Sequence, residues 1–227
     1  MIISFILILS AISLFGSYYA AKYNRSDLLM AIYVACIIIT NVLVFKIAAY
    51  DLGVVTLYAT APTLIYAVNF LIADIVNERF GRKEVLKMIG VAAFIQVCVA
   101  VFTWIAVALP AAPFWTEQMV YEQMFGSTLR IAIAQVLTFV VVESLDAYVF
   151  HYFREMTQGK HLWMRGLFST IPAMLLDTVI FFTAAFYGVM PIAPVITAVV
   201  ILKWIVGVID TPFLYLNRWV MSGVFVK

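Results

Sequence analysis

Long apolar runs alternate with short polar connections along the whole chain. Each run reaches or exceeds the roughly 20 residues that a helix needs to cross about 30 Å of hydrocarbon. We interpret the first run as a helix rather than a signal peptide, because it is long and no basic segment precedes it. The pattern predicts an all-α polytopic membrane bundle that forms one transmembrane domain over residues 1–227. Its seven predicted spans are 2–21, 28–49, 54–76, 86–109, 128–150, 166–188 and 195–220.

The composition agrees with a membrane protein that is surrounded by the lipid bilayer. The 227 residues are 66% hydrophobic and 11% charged, whereas a soluble domain carries about 25% charged residues. The net charge of +2 gives no indication of nucleic-acid binding. Cys36 and Cys98 lie in different runs, and we interpret them as small buried hydrophobic residues rather than metal ligands or a disulfide.

The basic residues lie on alternate connections between the runs. Eleven of the 14 Lys and Arg residues are on one side, and the other side carries only Arg130. Because cytoplasmic loops are enriched in Lys and Arg, we expect a multi-pass protein of the cell (inner or plasma) membrane, with its N-terminus outside and its C-terminus in the cytoplasm. The residues on the predicted cytoplasmic side are Lys22, Arg25, Arg79, Arg82, Lys83, Lys87, Arg154, Lys160, Arg165, Arg218 and Lys227.

The longest predicted outer connection spans residues 110–125 and carries two prolines, several aromatic residues, and no Lys or Arg. Two interpretations remain open for it. The connection is either a lid or re-entrant segment over a pocket, or an ordinary interfacial segment with Trp115 and Tyr121 at the level of the lipid headgroups.

Ionisable side chains lie inside several runs, where lipid would otherwise surround them. Each costs about 2.5–3.5 kcal/mol near the bilayer centre, so such groups are retained where they face one another, water or a ligand. Glu143 and Asp146 share a helix face and would repel each other unless a cation lay between them. Lys203 and Asp210, two turns apart, share another face. Asp177 has no basic residue within one turn of its own helix, so its partner must come from elsewhere.

Run 54–76 leads into a mixed polar segment. Asp74 and Glu78 are one turn apart, and they either end a helix in ion pairs with Arg79 and Arg82 or, for the deeper Asp74, line a pocket. Together the internal polar positions predict one pocket between the third, fifth, sixth and seventh runs, which points to small-molecule transport. The candidate substrate-binding residues are Asn41, Asn69, Asp74, Gln135, Glu143, Asp146, Asp177, Lys203 and Asp210.

Carboxylates in such a pocket suit a ligand with adjacent N–H donors. The N1–H and 2-amino edge of a guanine-like base is one example, and nearby Tyr, Phe and Trp rings could stack on the base. A carboxylate cluster with one lysine can also change its protonation as the ligand arrives, so proton coupling and passive transport both remain open.

Two polar segments carry a family resemblance. They are Asp-x-x-Asn-Glu-x-x-Gly at residues 74–81 and Trp-x-Arg-x-x-x-Ser-Thr at residues 163–170. With further matching stretches between them and beyond, the chain resembles the queuosine precursor transporters, also called the vitamin uptake transporter (VUT) family, over about residues 28–221. The further stretches are 110–115, 130–131, 145–150, 177–181, 186–188, Lys203 and 211–215.

The resemblance implies a fold and an activity. It implies a six-helix core over residues 28–221, similar to the substrate-binding components of energy-coupling-factor vitamin importers, with residues 1–27 as an additional N-terminal helix and linker. It also implies import of a 7-deazaguanine precursor of queuosine, in the cyano or aminomethyl form, without a dedicated ATPase module.

By position, four candidate residues fall on motif positions of the family, and two residues depart from its pattern. Glu143 and Met174 stand three residues before Asp146 and Asp177, where the resemblance leads us to expect glutamine. This difference leaves the identity of the ligand open. The four candidates on motif positions are Asp74, Asp146, Asp177 and Lys203.

Other functions stay in view beside the importer. The chain could be a substrate-binding subunit that needs a separate energising complex, with Ala31 and Ala35 on a small-residue face, or a carrier for another vitamin-like or nucleobase-like molecule. An intramembrane aspartyl protease built on Asp146 and Asp177 is disfavoured, because the accompanying glycine motif is missing. We therefore expect a transporter rather than an enzyme, with no cofactor and no metal. The sequence leaves homo-oligomer formation open.

Overall fold

Helices dominate the structure, a computed structural model that describes residues 2–44, 46–51, 53, 56–125, 129–158, 160–188 and 191–222. A two-stranded antiparallel hairpin separates the second helix from the third. The elements are α1 (Ile2–Tyr23), α2 (Asp27–Leu43), β1 (Ile47–Asp51), β2 (Thr56–Thr60), α3 (Thr63–Phe80), α4 (Arg82–Ala108), α5 (Gln118–Phe125), α6 (Leu129–Met156), α7 (Leu162–Phe186) and α8 (Ile192–Met221).

Four helices of the described part of the chain are long and apolar enough to cross a membrane: α4, α6 from Ile133 onward, α7 and α8. α2 is apolar but shorter. The prediction of a helical membrane bundle agrees with this architecture, whereas the count of seven spans stays a prediction. Some predicted positions lie outside the described structure: residues 45, 54–55, 128 and Lys227, and the side chains of Arg130 and Arg165.

The prediction that runs 28–49 and 54–76 are each a continuous helix is wrong. α2 ends at Leu43, and residues 47–49 of run 28–49 lie in β1. In run 54–76, residues 56–60 form β2, and α3 begins only at Thr63. Short apolar strands and apolar helices look alike in hydropathy, so the runs merged a hairpin with the helices on either side of it.

Local residue types explain why a hairpin forms here. Gly53 has φ +82°, a value that favours glycine, and its N–H donates to Asp51 Oδ1 at 2.8 Å. The strands pair from Ile47 with Thr60 to Asp51 with Thr56. Pro62 stands just before α3, where its missing N–H breaks no helical hydrogen bond.

The connection 110–125 contains the short exposed helix α5, which packs beside α4. Gln118 Nε2 donates to the carbonyl oxygen of Val107 at 3.4 Å, and Phe114 is 86% exposed. None of the described residues of this connection lines the cavities reported below. The arrangement therefore favours the interfacial interpretation over the lid.

The first helix is bound into the bundle through α2 and α8. Gly16 lets α1 approach α2 closely, since a Cβ at this position would lie 2.6 Å from Leu29 Cδ2. Ser17 Oγ donates to Asn217 Oδ1 at 2.6 Å, and Asn217 Nδ2 donates to Ser13 Oγ at 3.2 Å. These buried polar contacts hold α1 against the C-terminal half of α8.

The segment 74–81 forms the corner between α3 and α4. Gly81 has φ +85° and ends α3, with its N–H donating to the carbonyl oxygen of Asn77 at 3.0 Å. The Asn77 side chain donates to the carbonyl oxygen of Ala147 on α6 at 2.9 Å. This motif thus joins three helices.

Glu78 pairs with arginines of other helices rather than with its predicted neighbours Arg79 and Arg82. Its carboxylate lies 3.8 Å from Arg154 Nε on α6 and 3.5 Å from Arg218 Nε on α8. Among the described residues, Arg79 donates instead to Asn24 Oδ1 at 3.3 Å, and Arg82 lies 4.8 Å from the centre of the Tyr148 ring. The alternative of local ion pairs is therefore wrong for Glu78.

Candidate functional site

The described part of the chain forms two notable cavities between the helices. The upper cavity, near the hairpin, has a volume of about 70 Å³ and is bordered by α2, β2, α3, α6, α7 and α8. The lower cavity, near the corner between α3 and α4, has a volume of about 20 Å³. The upper cavity is lined by Thr40, Val44, Thr60, Pro62, Thr63, Tyr66, Gln135, Thr138, Asp177, Thr178, Phe181, Phe182, Val199 and Lys203.

A buried ion pair forms the polar centre of the upper cavity. Lys203 Nζ on α8 lies 2.6 Å from Asp177 Oδ2 on α7 and donates to Thr178 Oγ1 at 3.1 Å. The Tyr66 hydroxyl on α3 donates to Asp177 Oδ1 at 3.0 Å, and its ring lies 4.6 Å from Lys203 Nζ. Both carboxylate oxygens of Asp177 are therefore engaged, and the ammonium is further stabilised by the aromatic face.

An amide pair stands at the edge of this cavity. Gln135 on α6 lines the cavity and donates through Nε2 to Asn41 Oδ1 on α2. Thr40 and Thr138 add hydroxyl groups from the same two helices. The cavity thus combines one ion pair, amides and hydroxyls with the rings of Phe181 and Phe182, as small-molecule sites do.

Glu143 on α6 is buried near the Lys203–Asp177 pair. It is close enough to interact electrostatically with Asp146, Asp177 and Lys203, and the Tyr33 hydroxyl lies nearby. Neither carboxylate oxygen has a hydrogen-bond partner within the described part of the chain. Glu143 and Asp146 share α6, as the sequence predicts, and Asp146 Oδ1 likewise has no hydrogen-bond partner among the described residues.

The lower cavity is lined by two further acids. Asp74 on α3 accepts a hydrogen bond from Thr170 Oγ1 on α7 at 3.2 Å. Asp210 on α8 is 5% exposed, and neither of its carboxylate oxygens has a hydrogen-bond partner among the described residues. The lining residues are Leu71, Asp74, Gly166, Thr170, Met174, Gly207, Asp210, Thr211 and Leu214.

Three helices contribute polar residues to both cavities. Tyr66 and Asp74 are eight positions apart on α3, Thr170 and Asp177 seven apart on α7, and Lys203 and Asp210 seven apart on α8. At 1.5 Å per residue, these spacings separate the two polar levels by about 10–12 Å.

Apolar side chains fill the space between the two levels. On α3, α7 and α8, the intervening residues Phe70, Met174 and Val206 are fully buried in one hydrophobic cluster. The structure therefore divides the single predicted pocket into two, with an apolar layer of Phe70, Met174 and Val206 at the level between them.

The predicted site residues separate into groups. Gln135, Asp177 and Lys203 line the upper cavity, with Asn41 bonded to its edge. Asp74 and Asp210 line the lower cavity. The remaining three lie outside both lining sets: Asn69, Glu143 and Asp146.

Sequence reasoning did not select Tyr66, Thr170 or Thr178 as site residues. Tyr66 stands about two turns before Asp74 on α3, and Thr178 follows Asp177 directly. Thr170 and Thr178 lie in segments 163–170 and 177–181, which carry the family resemblance, whereas only its contacts with the buried charges mark Tyr66. Within the described residues, no group of three or more His, Cys, Asp and Glu is placed to hold a metal ion.

Comparison with known proteins places this arrangement in a family. The family model described as "Putative vitamin uptake transporter" matches residues 60–217. The chain belongs to the vitamin uptake transporter family. This result confirms the resemblance predicted from the polar segments, and the matched region runs from the end of β2 into α8, so that it contains the ion pair of the upper cavity and both acids of the lower one.

Curated relatives of this vitamin uptake transporter agree with the family model. A protein of Bacillus subtilis (strain 168) named "Probable queuosine precursor transporter" is 30% identical over 165 residues, which are 70% of this chain and 71% of the relative. A protein of Haemophilus influenzae (strain ATCC 51907 / DSM 11121 / KW20 / Rd) with the same name is 30% identical over 131 residues, 57% of this chain and 53% of the relative. No solved structure gave a significant match.

Proposed function

We propose that this protein imports a 7-deazaguanine precursor of queuosine across the cell membrane and binds it in the upper cavity. The observation that carries the proposal is the buried Lys203–Asp177 pair, which lines a cavity with aromatic and amide groups between largely apolar helices. An ion pair in this environment is costly unless it serves a ligand or a conformational change. The names of the two relatives support the substrate class.

The groups of the upper cavity suit a guanine-like edge. Asp177 would accept from the N1–H and 2-amino donors of the base, and Lys203 would donate to its carbonyl oxygen. Phe181 or Phe182 would stack on the ring. Since the Asp177–Lys203 pair is neutral overall, it fits the uncharged cyano form, whereas the Glu143 carboxylate behind it would favour the aminomethyl form.

Transport in this proposal requires the upper cavity to change its size and its exposure. A volume of about 70 Å³ is well below the roughly 300–1,000 Å³ of ordinary ligand pockets. The cavity must therefore expand to admit a base, and the apolar layer of Phe70, Met174 and Val206 must open to release it. The site would then be exposed to each face of the membrane in turn. In this proposal the N-terminus lies outside and the C-terminus lies in the cytoplasm.

Proton coupling is a further part of the proposal. A ligand whose N–H groups donate to Asp177 would separate this carboxylate from Lys203, whose Nζ lies 2.6 Å from Asp177 Oδ2. Either group could then gain or lose a proton, and that exchange would connect ligand movement to the proton gradient.

Uptake of radiolabelled precursor into a cell that cannot make queuosine tests the function. Cells expressing the protein should accumulate label above the empty-vector control, and competition by unlabelled cyano and aminomethyl forms should separate the two ligands. Asp177→Asn should abolish uptake, while Asp27→Asn, at an exposed acid on α2 that pairs with Arg25, should retain it. Uptake equal to the vector control, or normal uptake by Asp177→Asn, would contradict the assignment.

A second candidate is a substrate-binding subunit that works with a separate energising complex. Ala31 and Ala35 are both exposed on α2, so this small-residue face is open to another helix. In this version, the fold would have the six-helix core of energy-coupling-factor binding components over residues 28–221, with residues 1–27 added. Transport by the purified protein alone in liposomes would exclude this candidate.

A third candidate is a carrier for another vitamin-like or nucleobase-like molecule. Glu143 and Met174 stand where the family resemblance leads us to expect glutamine, and both lie beside the cavities. Uptake of a radiolabelled nucleobase or vitamin-like molecule above the vector control, without competition by unlabelled deazapurines, would favour this candidate over the first.

A further inference from the structure

The lower cavity carries an acid that no contact within the described structure satisfies. Asp210 is 5% exposed, lines this cavity, and has no hydrogen-bond partner on either carboxylate oxygen among the described residues. Lys203, two turns away on the same helix, is paired with Asp177 at the other level. A buried ionised carboxylate without hydrogen bonds or a counter-charge is strongly disfavoured, so Asp210 is either protonated or paired with a cation in the cavity.

Oxygen atoms surround the space that Asp210 faces. Asp74 and Thr170 line it from α3 and α7, and Thr211 lines it from α8. Thr170 Oγ1 donates to Asp74, and Thr211 Oγ1 donates to the carbonyl oxygen of Gly207 at 3.3 Å. Each hydroxyl has thus used its proton and keeps lone pairs for a cation.

Two glycines keep this space open. A Cβ at Gly166 would lie 3.5 Å from Asp74 Oδ2 and 3.3 Å from Leu214 Cδ2, and a Cβ at Gly207 would lie 3.4 Å from Ile171 Cδ1. Both glycines line the cavity. A side chain at Gly166 would occupy volume next to the Asp74 carboxylate, and a side chain at Gly207 would pack against Ile171 and Met174.

The size and donor set select the kind of cation. A volume of about 20 Å³ exceeds the roughly 10–15 Å³ that one water-sized particle needs, and leaves no room for a hydrated ion. Ca²⁺ takes about 6–8 oxygen ligands, and Mg²⁺ keeps several waters. Four oxygen-bearing side chains around a space for one particle instead fit a small, dehydrated monovalent ion.

We propose that the lower cavity is a sodium site, with the Na⁺ bound by Asp210 and Asp74 and completed by the hydroxyls of Thr170 and Thr211. The ion would supply the counter-charge that Lys203 gives to Asp177 in the upper cavity. It would also tie α3, α7 and α8 together below the apolar layer of Phe70, Met174 and Val206. The binding step does not depend on the identity of the transported molecule.

Thermal unfolding of the purified full-length protein in detergent tests the site. The protein is titrated with NaCl in choline chloride at constant ionic strength and pH, without any deazapurine present. The expected result is a saturable rise in Tm of several degrees that KCl does not reproduce. Asp210→Asn should remove this response, and Asp27→Asn should retain it.

A second variant covers the case in which Asp210→Asn does not fold. Thr211→Val keeps the side-chain shape but removes one oxygen, and it should shift the NaCl midpoint at least several-fold to higher concentration. A Tm that does not respond to NaCl overturns the proposal, because the cavity then holds only water or a proton. Retention of the sodium response by Asp210→Asn would also overturn it. Because the unfolding assay contains no substrate, its outcome does not test the proposed import. Failed uptake, in turn, does not test the sodium site.

Discussion

Replacing Lys203 with methionine tests the energetic role of the buried ion pair. Methionine keeps most of the length and apolar volume of the lysine side chain but removes the ammonium that lies 2.6 Å from Asp177 and 3.1 Å from Thr178. Asp177, which is 6% exposed, then remains in the bundle with only the Tyr66 hydroxyl as a partner within the described structure.

The size of the effect follows from this burial. Removing one partner of a buried pair costs about 3–5 kcal/mol, because an uncompensated charge is left behind. The remaining hydrogen bond from Tyr66 at 3.0 Å offsets part of this cost, so we expect a loss of about 3 kcal/mol. For a chain of this length, that loss lowers Tm by about 6–12 °C.

The double variant Asp177→Asn with Lys203→Met separates stability from binding. Replacing both partners of a buried pair by uncharged residues of similar volume is often close to neutral, so most of the lost Tm should return. Uptake should stay absent in both variants, since neither has the pair that we assign to the ligand. Thermal unfolding followed by fluorescence of the five tryptophans, with uptake at matched expression, measures both quantities.

Three results would refute this reasoning. A Tm for Lys203→Met within about 1 °C of the unmodified protein would mean that Asp177 does not depend on the ammonium. A double variant no more stable than the single one would mean that the loss comes from altered packing around the substituted side chain rather than from the charge. Restored uptake in the double variant would remove the pair from the binding site.

Two other substitutions have clear expected outcomes in the same unfolding assay. Gly16→Val should lower the free energy of unfolding by about 1–3 kcal/mol through overpacking against Leu29. The control Gly90→Ala, with no atom within 4 Å of the added carbon, should be neutral or slightly stabilising. Equal effects of the two substitutions would contradict the close approach of α1 and α2. Glu143→Gln should raise Tm, because it removes a buried carboxylate that has no hydrogen-bond partner among the described residues; a lower Tm would show that the charge of Glu143 is compensated in the folded protein.

Much of the fold class could be predicted from hydropathy, but the segment between α2 and α3 could not. The apolar runs identified the helices because only a continuous helix satisfies its own backbone in lipid. The hairpin from Ile47 to Thr60 was missed, since its alternating strands are as apolar as the helix ends beside it. Gly53 and Pro62 were the available signals, as residues that favour turns and helix starts.

The candidate site was predictable as a set of residues but not as an arrangement. Buried charges in apolar runs identified Asp177, Lys203 and Asp210, because lipid makes such groups costly. Helical spacing placed Lys203 and Asp210 on one face but contained no information on which neighbouring helix each would meet. Tyr66 was not selected, because a tyrosine at the start of a helix is common in membrane proteins.

The sequence by itself determined that this protein is a helical membrane protein of the vitamin uptake transporter family, because apolar run length and the motif at 74–81 are local properties of the chain. Only the tertiary structure decided that Asp177 pairs with Lys203, whereas Asp210 and Asp74 line a second cavity. The physical reason is that the partners of a buried charge come from other helices, and the packing of α3, α7 and α8 sets which partners are within reach.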